Sequence, residues 1–322
     1  MADGVLLAGE AMGLLIAEEK GALDRVESFR TAVAGAEFNV AVGLRRLGHR
    51  VAYLTRLGDD PFGHRIRRAL REEGIPLYGV RMTAEHPTGL MLKSKTAAGD
   101  PAIFYYRRGS AASFLGPEDV EAMKFDGFRA LHLTGIFPAL SAHTRKAAFA
   151  LLRKAKERHI AVFFDPNIRL PLWKSPAEMR ETLLAFAREA DVVMPGITEG
   201  RLLTGEESPE GIARVLRGLG ARTVIVKLGA GGAYADAGTE RFYVPGYEVE
   251  TIVDTVGAGD GFAAGVISAL GEGLSLPEAV RRGNAVGAIQ LGFAGDNEGL
   301  PDRDTLARFQ AEHAVVRKAE NT

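Results

Sequence analysis

Short apolar runs alternating with capped helical segments restrict this chain more than any other feature. Val5-Leu-Leu-Ala-Gly9 reads as a buried strand ending in Gly9-Glu10. Phe38, Ala41, Val42 and Leu47 then fall at helical spacing, with Gly48 placed to stop the helix. Val51 to Leu57 is a second strand, after which Asp60-Pro61 caps and opens a helix over Phe62 to Glu73 that closes at Gly74. The rhythm continues through Leu131 to Leu133, a Ser141-capped helix to Arg158, and Ile160 to Phe164. Ser175-Pro-Ala-Glu178 is a capping box that opens a helix to Ala190, and Asp191 to Met194 is the next strand. Parallel strands need crossover connections and antiparallel ones do not. The alternation therefore predicts a mostly parallel sheet with helices on both faces, a three-layer α/β/α arrangement.

One region departs from that rhythm. Thr88 to Lys95 and Ala102 to Arg108 alternate in polarity on either side of the turn Ala97-Ala-Gly-Asp-Pro101, which predicts a half-buried hairpin. It is either a stabilising antiparallel appendage or a flap presenting Tyr105, Arg107 and Arg108. No repeat, low-complexity tract or long linker divides the 322 residues, so a single domain over 1–322 is expected.

Charge and cysteine content narrow the function. Lysine and arginine number 40 against 41 aspartates and glutamates, a formal net charge of −1, so no basic excess points to nucleic acid. The absence of cysteine removes disulfides, thiolate nucleophiles and cysteine-ligated metals, and fits a reducing compartment. The first residues lack a basic n-region, and Glu10 and Glu18 interrupt the apolar runs before they reach signal or membrane-span length. A cytoplasmic protein without a membrane partner is the expectation.

The chemistry concentrates at Thr251-Ile-Val-Asp-Thr-Val-Gly257-Ala258-Gly259-Asp260-Gly, where an extended apolar run breaks on glycines and becomes helical. Small residues let successive N–H groups converge, and the first turn of a helix adds unpaired donors and a positive dipole end, so an anion such as phosphate fits there. Asp260 at the mouth of that turn is placed to accept a proton from a hydroxyl, and the donors around it are expected to keep it ionised. Taken alone, the same residues also describe a tight turn and a helix cap.

Further along, Thr223-Val-Ile-Val-Lys227-Leu-Gly229-Ala-Gly-Gly232 is a buried strand entering a glycine turn, with Lys227 either functional or solvated at the sheet edge. Ser275-Leu-Pro-Glu278 opens a helix whose Asn284, Ala285, Gly287 and Ala288 permit the close approach of a helix or of a flat ring. No Gly-x-x-x-x-Gly-Lys-Ser/Thr, protein-kinase catalytic loop or complete dinucleotide fingerprint occurs, and His64, His132 and His143 lack zinc spacing.

Asp254-Thr-Val-Gly-Ala-Gly-Asp260 resembles the C-terminal signature of the ribokinase-like, pfkB-type carbohydrate kinases, and Ala34-Gly35-Ala-Glu-Phe-Asn39-Val-Ala41 resembles their N-terminal one. Among them, the 2-keto-3-deoxygluconate kinases are the most similar, through Phe104 to Ser113, His132 to Ser141, Phe164-Asp-Pro-Asn-Ile-Arg169, Pro195 to Glu206 and Gly295-Asp-Asn-Glu-Gly-Leu-Pro301. The resemblance implies a ribokinase-like fold whose small β-sheet lid is inserted at about 11–34 and 88–110 and serves as a frequent dimer contact. It also implies ATP and Mg2+ as cofactors, and a sugar acid as the small-molecule substrate.

By that resemblance Asp260 is the base, with Gly257, Ala258 and Gly259 around the phosphoryl group. Gly35, Asn39, Tyr105, Arg107 and Arg169 contact substrate, Lys227, Gly229, Gly232 and Asn284 line the nucleotide groove, and Glu199 organises magnesium through water. An arginine fork suits the carboxylate of a keto-deoxy acid; without the resemblance, Arg107 with Arg108 also fits a solvated basic edge and Arg169 a surface ion pair. Gly196 stands where many members carry asparagine. A sister kinase for the galactonate epimer, fructose or ribose, and a non-catalytic sugar-binding regulator, are the alternatives.

Overall fold

The computed structural model describes residues 4–95 and 101–315, so most of the hairpin turn over 97–101 lies outside the described residues. In chain order the strands are β1 (Gly4–Ala8), β2 (Met12–Lys20), β3 (Phe29–Ala34), β4 (Val51–Gly58), β5 (Val80–Thr83), β6 (Leu90–Lys95), β7 (Ile103–Tyr106), β8 (Phe128–Thr134), β9 (Ala161–Asp165), β10 (Val192–Val193), β11 (Thr223–Lys227), β12 (Ala233–Asp236) and β13 (Arg241–Val244). The helices are α1 (Ala36–Arg46), α2 (Pro61–Glu72), α3 (Pro117–Glu121), α4 (Ala142–Glu157), α5 (Pro176–Glu189), α6 (Ile197–Thr204), α7 (Pro209–Leu219), α8 (Ala258–Gly271), α9 (Leu276–Gln290) and α10 (Arg303–Glu312).

Among the described residues a nine-stranded sheet has the order β13-β12-β11-β10-β9-β8-β1-β4-β5, parallel from β5 to β11 and antiparallel only at the β11-β12-β13 edge. Side chains alternate across it. Leu6 and Ala8 of β1 join a core with α4, α5 and α7, while Val5 and Leu7 join a second core with α1, α8 and α9. Helices therefore cover both faces, as the alternation predicts. From β1 the chain first builds outward through β4 and β5, then returns to β8 on the other side of β1 and continues to β11. That reversal opens a crevice at the carboxyl ends of β1 and β8.

A separate four-stranded sheet has the order β3-β2-β6-β7 and contains the predicted hairpin, with Leu90↔Tyr106 and Lys93↔Ile103 in antiparallel register. Its inner face packs Met12, Leu14, Ala32, Ala34 and Met91. Phe29–Ala34 is a full strand paired to β2, inside the 11–34 span expected for the lid. One segment differs from its sequence reading. Thr251 to Val253 is not a strand: Ile252 and Val253 are exposed, and the chain reaches α8 through an irregular turn.

Candidate active site

Five neighbouring parallel strands end at one edge, four of them in a polar side chain. Glu10 follows β1, Thr134 ends β8, Asp165 ends β9, Gly196 follows β10 and Lys227 ends β11. With α1, α8 and the small sheet, Glu10, Asp165 and Lys227 line a cleft of about 390 Å³ that also contains Gly35, Asn39, Tyr105, Arg107, Arg169, Glu199, Gly257, Gly259 and Asp260. A second cleft of about 480 Å³ adjoins it and contains Gly229, Gly232, Ala258, Asn284 and the apolar Val249, Ile252, Phe262 and Leu291. Lys227, Thr255 and Gly259 line both. The residues expected around an acceptor and those expected around a nucleotide thus fall in separate clefts that meet at the α8 turn.

That turn has a steric cause. Gly257 caps α8 with φ 83°, and a Cβ there would overlap the carbonyl oxygen of Asp296, so only glycine fits. The first α8 hydrogen bond runs from Gly261 N to Gly257 O at 2.8 Å, so the N–H groups of Ala258, Gly259 and Asp260 precede the helical ladder. Gly35 has φ 139° and caps α1, and a Cβ there would overlap the Glu10 carbonyl oxygen.

Asp260 is buried, and its environment corrects one expectation. Burial pushes its carboxyl up to about 7, the Asn39 amide pulls it down, Asp165 pushes it up, and Arg169 and Lys227 pull it down. Loss of water outweighs the surrounding donors, so the group is not held firmly ionised but titrates near neutrality. Asn39 Nδ2 donates to Asp260 Oδ2 at 2.7 Å, and Asn39 Oδ1 accepts from Asn297 Nδ2 at 2.9 Å. Asn39, which the resemblance assigns to substrate, is here bonded to the carboxylate itself. Asn167, held at φ 36°, places its amide 3.4 Å from Asp260 Oδ1.

Two of the three cations in the first cleft, Lys227 and Arg107, are already paired with carboxylates. Lys227 is not solvated at the edge: its Nζ lies 2.6 Å from Asp165 Oδ2. Burial lowers its pKa, but Asp165, Glu199 and Asp260 raise it further, so it stays charged. Arg107 is buried against Glu10, with Nε at 2.6 Å and Nη2 at 2.5 Å, and its guanidinium lies 5.4 Å from the Tyr105 ring centre. Ser110 Oγ donates to the other Glu10 oxygen. Arg169 is exposed, with one contact to its neighbour's carbonyl, Ile168 O, at 3.1 Å. Of the two arginines expected to meet a carboxylate, Arg169 is the less committed.

Glu199 accepts Gly196 N–H at 2.8 Å and Ile168 N–H at 2.7 Å, which makes it the capping-box residue of α6. Burial and Asp165 raise its pKa above the usual carboxylate range. Among the described residues no group of three or more His, Cys, Asp and Glu side chains is gathered to hold a metal. Asp165 and Glu199 are both engaged by protein donors, so the residues suit a hydrated cation arriving on a nucleotide better than a resident ion. Asn284 donates to Pro245 O at 3.0 Å and lines the second cleft beside Gly287.

Sequence reasoning did not single out Glu10, Glu37, Lys93, Asp165, Asp296 and Asn297, which the structure places at or beside the first cleft. Glu37 accepts Thr134 Oγ1 at 2.5 Å, and burial raises its pKa to about 7. A local signal existed for some of them, since Asp165 and Asp296 stand inside quoted motifs. Glu10 and Lys93 carried none.

Comparison with known proteins shows what the chain is similar to. The pfkB family carbohydrate kinase profile matches residues 3–303. A 2-dehydro-3-deoxygluconokinase of Bacillus subtilis is 45% identical over 309 residues, covering 96% of this chain and 95% of that protein. One from Thermoproteus tenax is 33% identical over 296 residues, covering 91% and 90%. A structure from E. coli, described as a ribokinase II in complex with ATP and Mg2+, superposes with a TM-score of 0.88 at 26% identity, covering 97% of this chain and all of the other.

Proposed function

The chain belongs to the pfkB family of carbohydrate kinases, and from that membership we propose that it transfers the γ-phosphoryl group of ATP to the terminal hydroxyl of 2-keto-3-deoxygluconate, giving the 6-phosphate. This acid is the 2-dehydro-3-deoxygluconate of the relatives' names. The observation that carries the proposal is the meeting of two clefts at Lys227 and Gly259, with the Asp260 carboxyl on the acceptor side of that junction.

In this reading the acceptor hydroxyl gives its proton to Asp260 while its oxygen forms a bond to the γ-phosphorus. The bond from phosphorus to the bridging oxygen breaks, and ADP leaves. N–H groups of the Gly257–Gly259 turn and the Lys227 ammonium face the charge on the transferring group, where preorganised donors act most strongly. Asn39 and Asn167 orient the base. Glu199 and Asp165, within the same cleft, would bind the water of a Mg2+ ion arriving with the nucleotide, which would neutralise charge on the phosphates. Tyr105 and Arg107 at the end of β7 close over the sugar, and Arg169 takes its carboxylate. Phe104 and Tyr106, exposed on the opposite face of β7, form the surface for self-association through the lid. ATP as donor suits a cytoplasmic enzyme.

One observation favours a neutral sugar instead: Arg107 is already neutralised by Glu10. ADP release with Mg-ATP, measured against 2-keto-3-deoxygluconate, its galactonate epimer, gluconate, ribose and fructose, decides between them. Turnover confined to the keto-deoxy acids is expected. Efficient turnover of ribose or fructose would retain the kinase and overturn the sugar-acid assignment.

A further inference from the structure

Lys93 stands on β6 of the small sheet, yet its side chain is buried between two acids that flank the glycine turn before α8. Its Nζ lies 2.5 Å from Asp254 Oδ2 and 3.0 Å from Asp296 Oδ1, and the side chains of the two acids are only 8% and 5% exposed. Among the described residues neither acid has an ion pair with any other lysine or arginine. Asp254 accepts the Val256 N–H at 3.1 Å and the Gly295 N–H at 3.2 Å, so it shapes the approach to α8 and ties it to the loop before Asp296. Asp296 in turn presses its carbonyl on Gly257, the residue that makes the left-handed turn. One ammonium from the lid thus joins both loops that define the turn. Without it two buried carboxylates face each other beside the place where an anionic group must enter, a costly arrangement for a group of either charge state.

We propose that Lys93 is a positioning residue for phosphoryl transfer, an ammonium carried by the lid that neutralises Asp254 and Asp296 and so keeps the Gly257–Gly259 turn open to an anion. The inference rests on the kinase reading but not on which sugar is the acceptor. It separates from a plain buried ion pair because a merely structural lysine has no reason to favour ATP over ADP.

The test compares Lys93→Ala with the parent protein. Calorimetric affinities for ATP and ADP come first, since they need no acceptor, followed by turnover on whichever acceptor the parent uses. ATP binding is expected to weaken at least tenfold more than ADP binding. kcat is expected to fall at least tenfold with little change in the acceptor KM, and to be restored in part by methylammonium or ethylammonium but not by tetramethylammonium. Equal weakening of both nucleotides, or no response to the small amines, overturns the proposal. Lys93→Met combined with Asp296→Asn guards against a variant that does not fold, because it keeps the local net charge at −1. A folded double variant with kcat within about tenfold of the parent supports the electrostatic role, and a loss beyond about a hundredfold with an unchanged melting temperature overturns it. A parent that binds ATP but phosphorylates none of the panel sugars refutes the substrate assignment while the nucleotide comparison still decides the role of Lys93.

Discussion

Replacement of Asn39 by alanine separates two roles that its position allows. Asn39 Nδ2 donates at 2.7 Å to Asp260 Oδ2 in a buried setting, and this hydrogen bond is among the influences that hold the carboxyl down to about 7. A buried hydrogen bond to a charged group contributes about 1.5–3 kcal/mol. One pKa step corresponds to roughly 1.4 kcal/mol, so losing the bond should raise the Asp260 pKa by about 1–2. The base must be ionised to work, so kcat/KM of the parent should rise with pH through a limb near 7, and in Asn39→Ala that limb should move to about 8–9. At pH 7 the ionised fraction drops from about half to between roughly one in ten and one in a hundred, a loss of about five- to fiftyfold that recovers above pH 9. Initial rates of ADP formation between pH 5.5 and 9.5, with Mg-ATP saturating and the acceptor varied, read this directly. A pH-independent loss carried by KM, with the limb unmoved, would refute the orienting role and return Asn39 to the sugar.

The remaining predictions use the same structure. Asp260→Asn preserves shape but cannot accept the proton, so kcat should fall at least about a hundredfold with little change in KM; near-normal turnover removes the base. Arg107→Ala strands the buried Glu10 and should cost about 3–5 kcal/mol in chemical denaturation, whereas Arg169→Ala, at an exposed site, should leave stability within about 0.5 kcal/mol and raise KM for a keto-deoxy acid. If KM for the acid is unchanged in Arg169→Ala, the carboxylate is held elsewhere. Asp260, Glu37 and Asp296 have pKa values raised by burial to about 7, about 7 and about 6. Each therefore contributes stability that is complete below about pH 4 and lost as pH rises through its folded value, so from these groups the melting temperature of the ligand-free protein should decline from pH 5 to 8. Asp260→Asn should flatten that decline, and an unchanged slope would remove Asp260 from its cause.

The parallel sheet and its helices were legible because each strand and each cap is a local pattern. Val5 to Gly9, Asp60-Pro61 and Ser175 to Glu178 announce themselves within a few residues, and the structure has the corresponding elements. Gly257 was likewise readable, since a left-handed turn entering a helix favours glycine wherever it occurs, and Asp260 stood out as the carboxylate in the first turn of that helix. The partnerships were not legible. Arg107 meets Glu10 across 97 positions, Asn39 meets Asp260 across 221, and Lys93 reaches Asp254 across 161. Side-chain pairing at such separations leaves no periodic trace, so an arginine expected to meet a substrate carboxylate is found neutralised, and a lid lysine that the sequence did not single out is found buried. The Asp260 pKa shows the same division. Local donors argue for an ionised carboxylate, and only the packed fold establishes how much water is removed from it. Chain-local stereochemistry dictates which elements form and where a backbone can receive an anion; charge state and partner choice depend on burial and on contacts that only folding creates.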